Sequence, residues 1–443
     1  MTTTSETSET PAPPAYLSGH LAPVPDEIGA FDLPVTGTLP PELTGRYFRN
    51  GPNPLPGQDS GHWFAGPGML HGIRLSEGRA EWYRNRWVRT RSFTEGAQLV
   101  GPDGVDRTAV SANTSVIRHA DKIFALVESG FPYEVTPELD TVGPWDFGGR
   151  LTTAMTAHPK LDPATGELHF FGYGFEAPYL TYHRLTAAGE LVESRVVDVP
   201  GPTMVHDFAI TENHVIWLDL PVVFDMERVG SGLPFGWDDS YGARLGVMDR
   251  AGKVTWFDVD PCYVFHVGNA REDASGRVVL DAVRYSRESF NAIWDRISGS
   301  ANPAVETGGA VLHRWTLDPA NGTVKEEQRD DRAVEFPTFN EDLLGRASGL
   351  LYTVSDDAIV KYDTETGAGQ VKDVGGHPGE AVFVPAAGAE TEDGGWLMSI
   401  VTDHSGDASR LLVLDAADLE FVASVELPRR VPDGFHGNWL PDL

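Results

Sequence analysis

Asp162-Pro163-Ala164-Thr165-Gly166-Glu167-Leu168-His169-Phe170-Phe171-Gly172 is a five-residue turn running into an apolar strand. Asp and Gly at the ends of such a turn have different tasks. Asp can bond its own backbone two residues on, and Gly accepts the positive φ that closes the loop. The same unit recurs at Asp249-Arg250-Ala251-Gly252, at Asp318-Pro319-Ala320-Asn321-Gly322 and at Asp363-Thr364-Glu365-Thr366-Gly367. A related turn without the Asp lies at Thr186-Ala187-Ala188-Gly189. Each separates short strand-like runs, such as Glu167–Gly172 and Lys253–Asp258. Many hairpins over a long chain call for an architecture that hides sheet edges, and radial repetition of four-stranded blades does so. The fold class expected is all-β, a β-propeller, with seven blades suggested by length. Val222–Gly246 and Ser286–Ser300 break the pattern with Gly, aromatics and helix formers, and are expected to lie over one face.

Composition limits what such a chain can do. It has 443 residues, of which 41% are hydrophobic, with 48 glycines and 32 prolines as punctuation. That is a globular composition with ample core. A formal net charge of −31 argues against nucleic acid and against electrostatic docking on anionic lipid. No apolar run reaches the length of a membrane-spanning helix. One cysteine, Cys262, excludes an internal disulfide framework and fits a reducing, cytoplasmic setting. Residues 1–24 open Ser/Thr/Glu/Pro-rich and read as a disordered tail, not a signal peptide. Residues 25–443 are expected to form a single domain.

Near the C-terminus the chain does not turn polar. Val431-Pro432-Asp433-Gly434-Phe435-His436-Gly437-Asn438-Trp439-Leu440 sets a histidine between aromatics and glycines, as though the terminus were tied back into the body. Of fourteen histidines, three others share apolar or Gly/Pro surroundings: His158 before Pro159, His206 in Met204-Val205-His206-Asp207-Phe208, and His266 in Val264-Phe265-His266-Val267-Gly268. His119, His214, His313 and His404 read as surface residues. The four candidates are dozens of residues apart or more, unlike a zinc finger or HExxH site. On a propeller they could converge, one per blade, on the central axis. Each could equally be a histidine packed between strands, and spacing alone does not choose.

The chain resembles the carotenoid cleavage oxygenase family, which includes apocarotenoid oxygenases, stilbene-cleaving dioxygenases and a retinoid isomerase. The matching segments are Gly45-Arg46-Tyr47-Phe48-Arg49-Asn50-Gly51-Pro52-Asn53-Pro54, His62-Trp63-Phe64-Ala65-Gly66-Pro67-Gly68-Met69-Leu70-His71-Gly72, Tyr83-Arg84-Asn85-Arg86-Trp87-Val88-Arg89-Thr90, Ala112-Asn113-Thr114-Ser115 and the four histidine segments. They run in the family's order from about residue 25 to the end. The resemblance implies a seven-bladed propeller with a mostly helical or loop dome over its top face. It implies Fe(II) held by His158, His206, His266 and His436, and glutamates behind three of them. Those are Glu128 behind His206, Glu335 behind His266 and Glu380 behind His436. It also implies that Thr114 crowds one open coordination position, although Asn113-Thr114-Ser115 reads equally well as a turn. Arg46 and Arg49 are better read as structural ion pairs where the ring closes than as a phosphate loop.

Neutral imidazoles suit iron but bring no charge, so outer carboxylates should orient the rings and offset the ion. The implied activity is a dioxygenase that cleaves a carbon–carbon double bond with O2 to give two carbonyls. The substrate would be a hydrophobic polyene or a stilbene. In the stilbene-cleaving branch a lysine tends to precede the glutamate matched by Glu128; here Val127 does, which favours a carotenoid or apocarotenoid. Val222, Val223, Phe224, Leu233, Phe235 and Trp237 could form a tunnel mouth with transient membrane contact, or simply cap the core. Two other classes remain: a calcium-dependent propeller lactonase, needing oxygen ligands on the axis, and a binding propeller, needing no metal.

Overall fold

The computed structural model describes residues 14–229, 233–296 and 309–442. Seven antiparallel sheets make seven blades, with 45% of residues in strands and 7% in helices. In chain order after the first blade, four-stranded blades are built from 115–144, 160–197, 209–258, 267–333 and 335–373. The anticipated Asp/Gly turns fall at hairpins. Asp162 Oδ1 accepts from the Ala164 amide at 2.9 Å and Asp363 Oδ1 from those of Glu365 and Thr366 at 2.9 Å. Gly166 and Gly367 close their turns at φ of +71° and +77°. The side-chain cap and the left-handed glycine are what made these turns legible in sequence.

The ring is closed twice, by both ends of the chain. Gly437–Pro441 pairs antiparallel with Gly45–Pro52 inside the first blade, which also holds Gly68–Ser76, Arg79–Trp87 and Gly29–Phe31. Val35–Gly37 pairs with Phe421–Glu426 as the outer strand of the seventh blade. Arg46 bonds Asp442 at 2.8 Å and lies 3.4 Å from Glu138, an ion-pair cluster across the closure. Arg49 is buried, and its guanidinium donates to the Pro432 carbonyl oxygen. The body also begins earlier than the expected tail boundary. Residues 1–13 lie outside the described residues, but Tyr16, Leu21 and Val24 are buried, and the Val24 amide donates to Asn53 Oδ1 at 2.8 Å.

One face of the ring is covered by loops and short elements. The stretch from Val222 forms a hairpin of Val222–Phe224 with Phe235–Trp237, and the stretch from Ser286 forms the helix Arg287–Arg296, with 297–300 outside the described residues. A five-residue helix, Arg91–Glu95, lines one cavity together with Leu233, Phe235 and Ile293 from these two stretches. Val222 is buried outright, while Leu233, Phe235 and Trp237 are half-buried against the core. No helix among the described residues is long and apolar enough to cross a membrane. Two of the histidines expected at the surface are buried instead. His119 bonds the Gly166 carbonyl oxygen at 3.2 Å, and His313 packs on Trp315 with ring centroids 4.4 Å apart. Both sit on strands whose neighbours in the next hairpin or strand cover them, which local sequence does not reveal.

Candidate metal centre

Each blade delivers a residue to one point from the start of its first strand. Thr114 precedes Ser115–His119, His158 precedes Lys160–Leu161, His206 precedes Ala209–Ile210 and His266 precedes Val267–Glu272. Glu335 opens Glu335–Thr338, Glu380 lies between His377–Pro378 and Val382–Pro385, and His436 precedes Gly437–Pro441. First strands of several neighbouring blades touch, among them Gly437–Pro441 with Ser115–His119 and Ala209–Ile210 with Val267–Glu272, so residues at their mouths meet. Glu128 is the exception, following the second strand of its blade, Lys122–Leu126.

The four rings form a tight group. Centroids of His158 and His206 are 4.5 Å apart, those of His158 and His436 4.6 Å, and those of His266 and His436 4.7 Å. One ring nitrogen of each lies within 4.8 Å of all the others. Three of the rings are held from behind. His206 Nδ1 donates to Glu128 Oε2 at 3.0 Å, His266 Nδ1 to Glu335 Oε2 at 2.6 Å and His436 Nδ1 to Glu380 Oε1 at 3.0 Å. A ring that donates from Nδ1 carries its lone pair on Nε2. The lone pairs therefore face the centre of the cluster. His158 Nε2 and His206 Nε2 are 3.0 Å apart, and His266 Nε2 is buried without a hydrogen-bond partner. Buried acceptors aimed at one another are costly unless something between them is shared. Two nitrogens at about 2.1 Å from one ion, at right angles, would be about 3.0 Å apart. The donor set fits a transition metal, and its lack of oxygen ligands does not fit calcium.

The carboxylates are themselves fixed. Glu335 is fully buried; it accepts from Tyr285 Oη and from the Phe336 amide, both at 2.6 Å. Burial pushes its pKa up, but its interaction with His266 and these hydrogen bonds outweigh burial and hold it below the ordinary value. Glu380 Oε2 accepts from the Gly437 amide at 2.8 Å, fixing the first residue of the closing strand. His158, with no carboxylate behind it, is kept well below the usual imidazole range by burial and by its three neighbours. Burial also lowers His206, but Glu128 more than compensates and the net shift is upward. A neutral His158 is an available donor.

A cavity of about 800 Å³ opens onto the cluster. Its wall includes Phe64, Val127, Phe265, Ile293, Phe336 and Phe435, and Thr114 faces it beside His206, His266 and His436. Thr114 Oγ1 donates to Asn113 Oδ1 at 3.0 Å, and its carbonyl oxygen accepts from the His436 amide at 3.2 Å. Sequence reasoning missed Tyr285 and Phe336. Phe336 holds a left-handed φ of +50° and stacks on His266 at 5.0 Å. Strain of this kind collects where surroundings over-determine the backbone. Its adjacency to Glu335 was the one available signal; nothing local marks Tyr285. Asp207 was also missed. It is buried, bonds Lys160 Nζ at 2.8 Å, and accepts from the Phe208 and Val267 amides at 2.7 and 2.8 Å. It thereby ties together the backbone around His158, His206 and His266.

Comparison with known proteins identifies the family. Residues 21–441 match the family described as retinal pigment epithelial membrane protein. A carotenoid cleavage oxygenase of Mycobacterium tuberculosis is 40% identical, with 99% of each chain covered. A carotenoid 9,10(9',10')-cleavage dioxygenase of Arabidopsis thaliana is 35% identical over 96% of this chain and 90% of its own. Among solved structures, the lignostilbene dioxygenase of Pseudomonas brassicacearum superposes with a TM-score of 0.84 at 28% identity, covering 98% of this chain and 100% of its own. The similarity thus runs along nearly the whole chain, and the chain belongs to the carotenoid cleavage oxygenase family as an oxygenase.

Proposed function

We propose that the protein is a non-haem Fe(II)-dependent dioxygenase that cleaves one carbon–carbon double bond of a carotenoid or apocarotenoid with O2. The observation that carries this is the cluster of four inward-facing imidazoles, three backed by carboxylates, at the end of an apolar cavity. His158, His206, His266 and His436 would hold the ion through Nε2. Four neutral ligands would leave the double positive charge of Fe(II) intact, and the bound ion would supply the open-shell chemistry that makes O2 reactive. Glu128, Glu335 and Glu380 orient the rings and offset that charge. The alkene supplies all the electrons: its double bond and the O–O bond break, two C=O bonds form, and no added reductant enters the balance. Thr114 narrows the approach to the open side of the cluster. The cavity wall holds the polyene by apolar contact and keeps water away.

Val127 bears on substrate class. It is buried and lines the cavity immediately before Glu128. A valine there gives a phenolate no partner, and burying one unpaired would cost on the order of several kcal/mol. A polyene carries no such charge. The deciding experiment pairs metal analysis with product mass spectrometry under 18O2. We expect iron near one equivalent, and two labelled carbonyl products from an apo-carotenal without reductant. Turnover of a hydroxystilbene should be much slower. His266→Ala should lose most of the iron and all turnover. Efficient hydroxystilbene cleavage with no attack on any apocarotenoid would overturn the substrate; calcium in place of iron would overturn the chemistry.

A further inference from the structure

A second group of metal-binding side chains lies apart from the axis, where the sixth and seventh blades meet. Asp357 sits in the tight turn between Leu350–Ser355 and Ala358–Asp363. His377 opens the strand His377–Pro378, and His404 lies in the turn between Gly395–Thr402 and Ser409–Asp415. One ligand atom from each falls within 4.8 Å of the other two.

The way these atoms face one another is the informative point. His377 Nδ1 is 3.3 Å from Asp357 Oδ1, and His404 Nδ1 is 3.7 Å from Asp357 Oδ2. Neither contact is a hydrogen bond, and Asp357 Oδ1 is a buried oxygen without a hydrogen-bond partner. A buried carboxylate oxygen left in this way is costly. The two rings stand at 85° with centroids 5.6 Å apart, so they bring their nitrogens in from different directions. His377 is also held in place, because His20 stacks on it at 4.7 Å and 29°. His20 is in turn fixed by Asp433, whose carboxylate lies 3.4 Å from its ring and whose amide donates to its carbonyl oxygen at 3.0 Å.

We propose that Asp357, His377 and His404 form a second metal site, for a divalent first-row transition ion of which Zn2+ is the readiest fit. Two imidazoles and one carboxylate are a borderline-soft donor set, and the exposure of His404 would let water complete the coordination. Calcium and magnesium, which take oxygen ligands, are disfavoured. The bound ion would supply Asp357 Oδ1 with a partner and join a turn of the sixth blade to two elements of the seventh. Through His377 and His20 it would also pin the segment Gly19–Leu21 to the ring.

The test is calorimetric titration of Zn2+ into the protein as purified, with its resident metal, alongside His404→Ala, Asp357→Asn and His436→Ala. Wild type and His436→Ala should share one binding event that both peripheral variants weaken roughly tenfold or more. Zinc should raise the Tm of wild type more than that of His404→Ala. Crystals soaked in Zn2+ should show anomalous density between the three side chains. Isotherms of wild type and both peripheral variants that superimpose would overturn the site. So would an event lost in His436→Ala but kept in His404→Ala and Asp357→Asn. Either peripheral variant alone suffices for the decision.

Discussion

Glu335 shows how much one side chain can be asked to do. It accepts from a ring nitrogen, a phenol and an amide while fully buried. Glu335→Gln keeps the shape but offers one acceptor oxygen and an N–H2 in place of two acceptors, so at best the Tyr285 hydroxyl loses the acceptor for its proton. Metal affinity should fall by roughly 10–100-fold, the usual scale for such partners, as measured by competition with a chelator. Affinity equal to wild type would mean that ring orientation does not depend on this carboxylate. His183 makes a separate prediction. Both its ring nitrogens are paired to hydroxyls, Thr153 Oγ1 at 2.7 Å and Ser194 Oγ at 2.8 Å. Burial lowers its pKa from 6.5 to about 4. The unfolded chain therefore takes up the proton first as acid is added. The stability this histidine contributes is complete above about pH 6.5 and drains away as pH falls toward about 4. Thermal melts between those values should show a loss that His183→Asn partly abolishes. Equal acid sensitivity in the two proteins would place the titration elsewhere.

At the scale of elements, the closing strand is the most exposed to a single change. A Cβ on Gly45 would lie 2.6 Å from the Leu440 carbonyl oxygen and 2.7 Å from the Trp439 ring. Gly45→Ala must therefore push Gly437–Pro441 outward, at about 1–3 kcal/mol for overpacking of this kind. The expected result is a lower Tm together with weaker metal retention, because His436 immediately precedes the displaced strand. A lower Tm with unchanged metal content would uncouple strand from cluster. This scale also shows what was legible in the sequence. Asp162, Asp318 and Asp363 announced their hairpins because an Asp cap and a left-handed Gly are local chemistry. His158, His206, His266 and His436 could be picked out by their apolar settings and by resemblance, and the structure brings their rings together. The burial of His119 and His313 was not legible, since it depends on which strand comes to lie over them. Nor was Tyr285, which reaches Glu335 from across a blade boundary. The path of residues 14–24 was hidden too, because their anchors, such as Asn53, lie far along the chain.

The whole molecule carries a formal charge of −31, and that excess should be felt in its stability. Self-repulsion on this scale opposes compactness and is screened by salt. Raising ionic strength from about 0.01 to 0.2 M shortens the screening length from about 30 Å to under 10 Å, and Tm should rise. A fall would show that the attractive pairs, such as those across Arg46, Arg74 and Asp442, outweigh the net repulsion. Ribosomes deliver the chain from the N-terminal end, so Gly45–Pro52 is made early and must wait with one edge unpaired for Gly437–Pro441. The fourth imidazole arrives with that same final segment. A chain lacking Pro432 onward has neither a sealed ring nor a complete cluster, so metal capture would report that this segment has been made and docked.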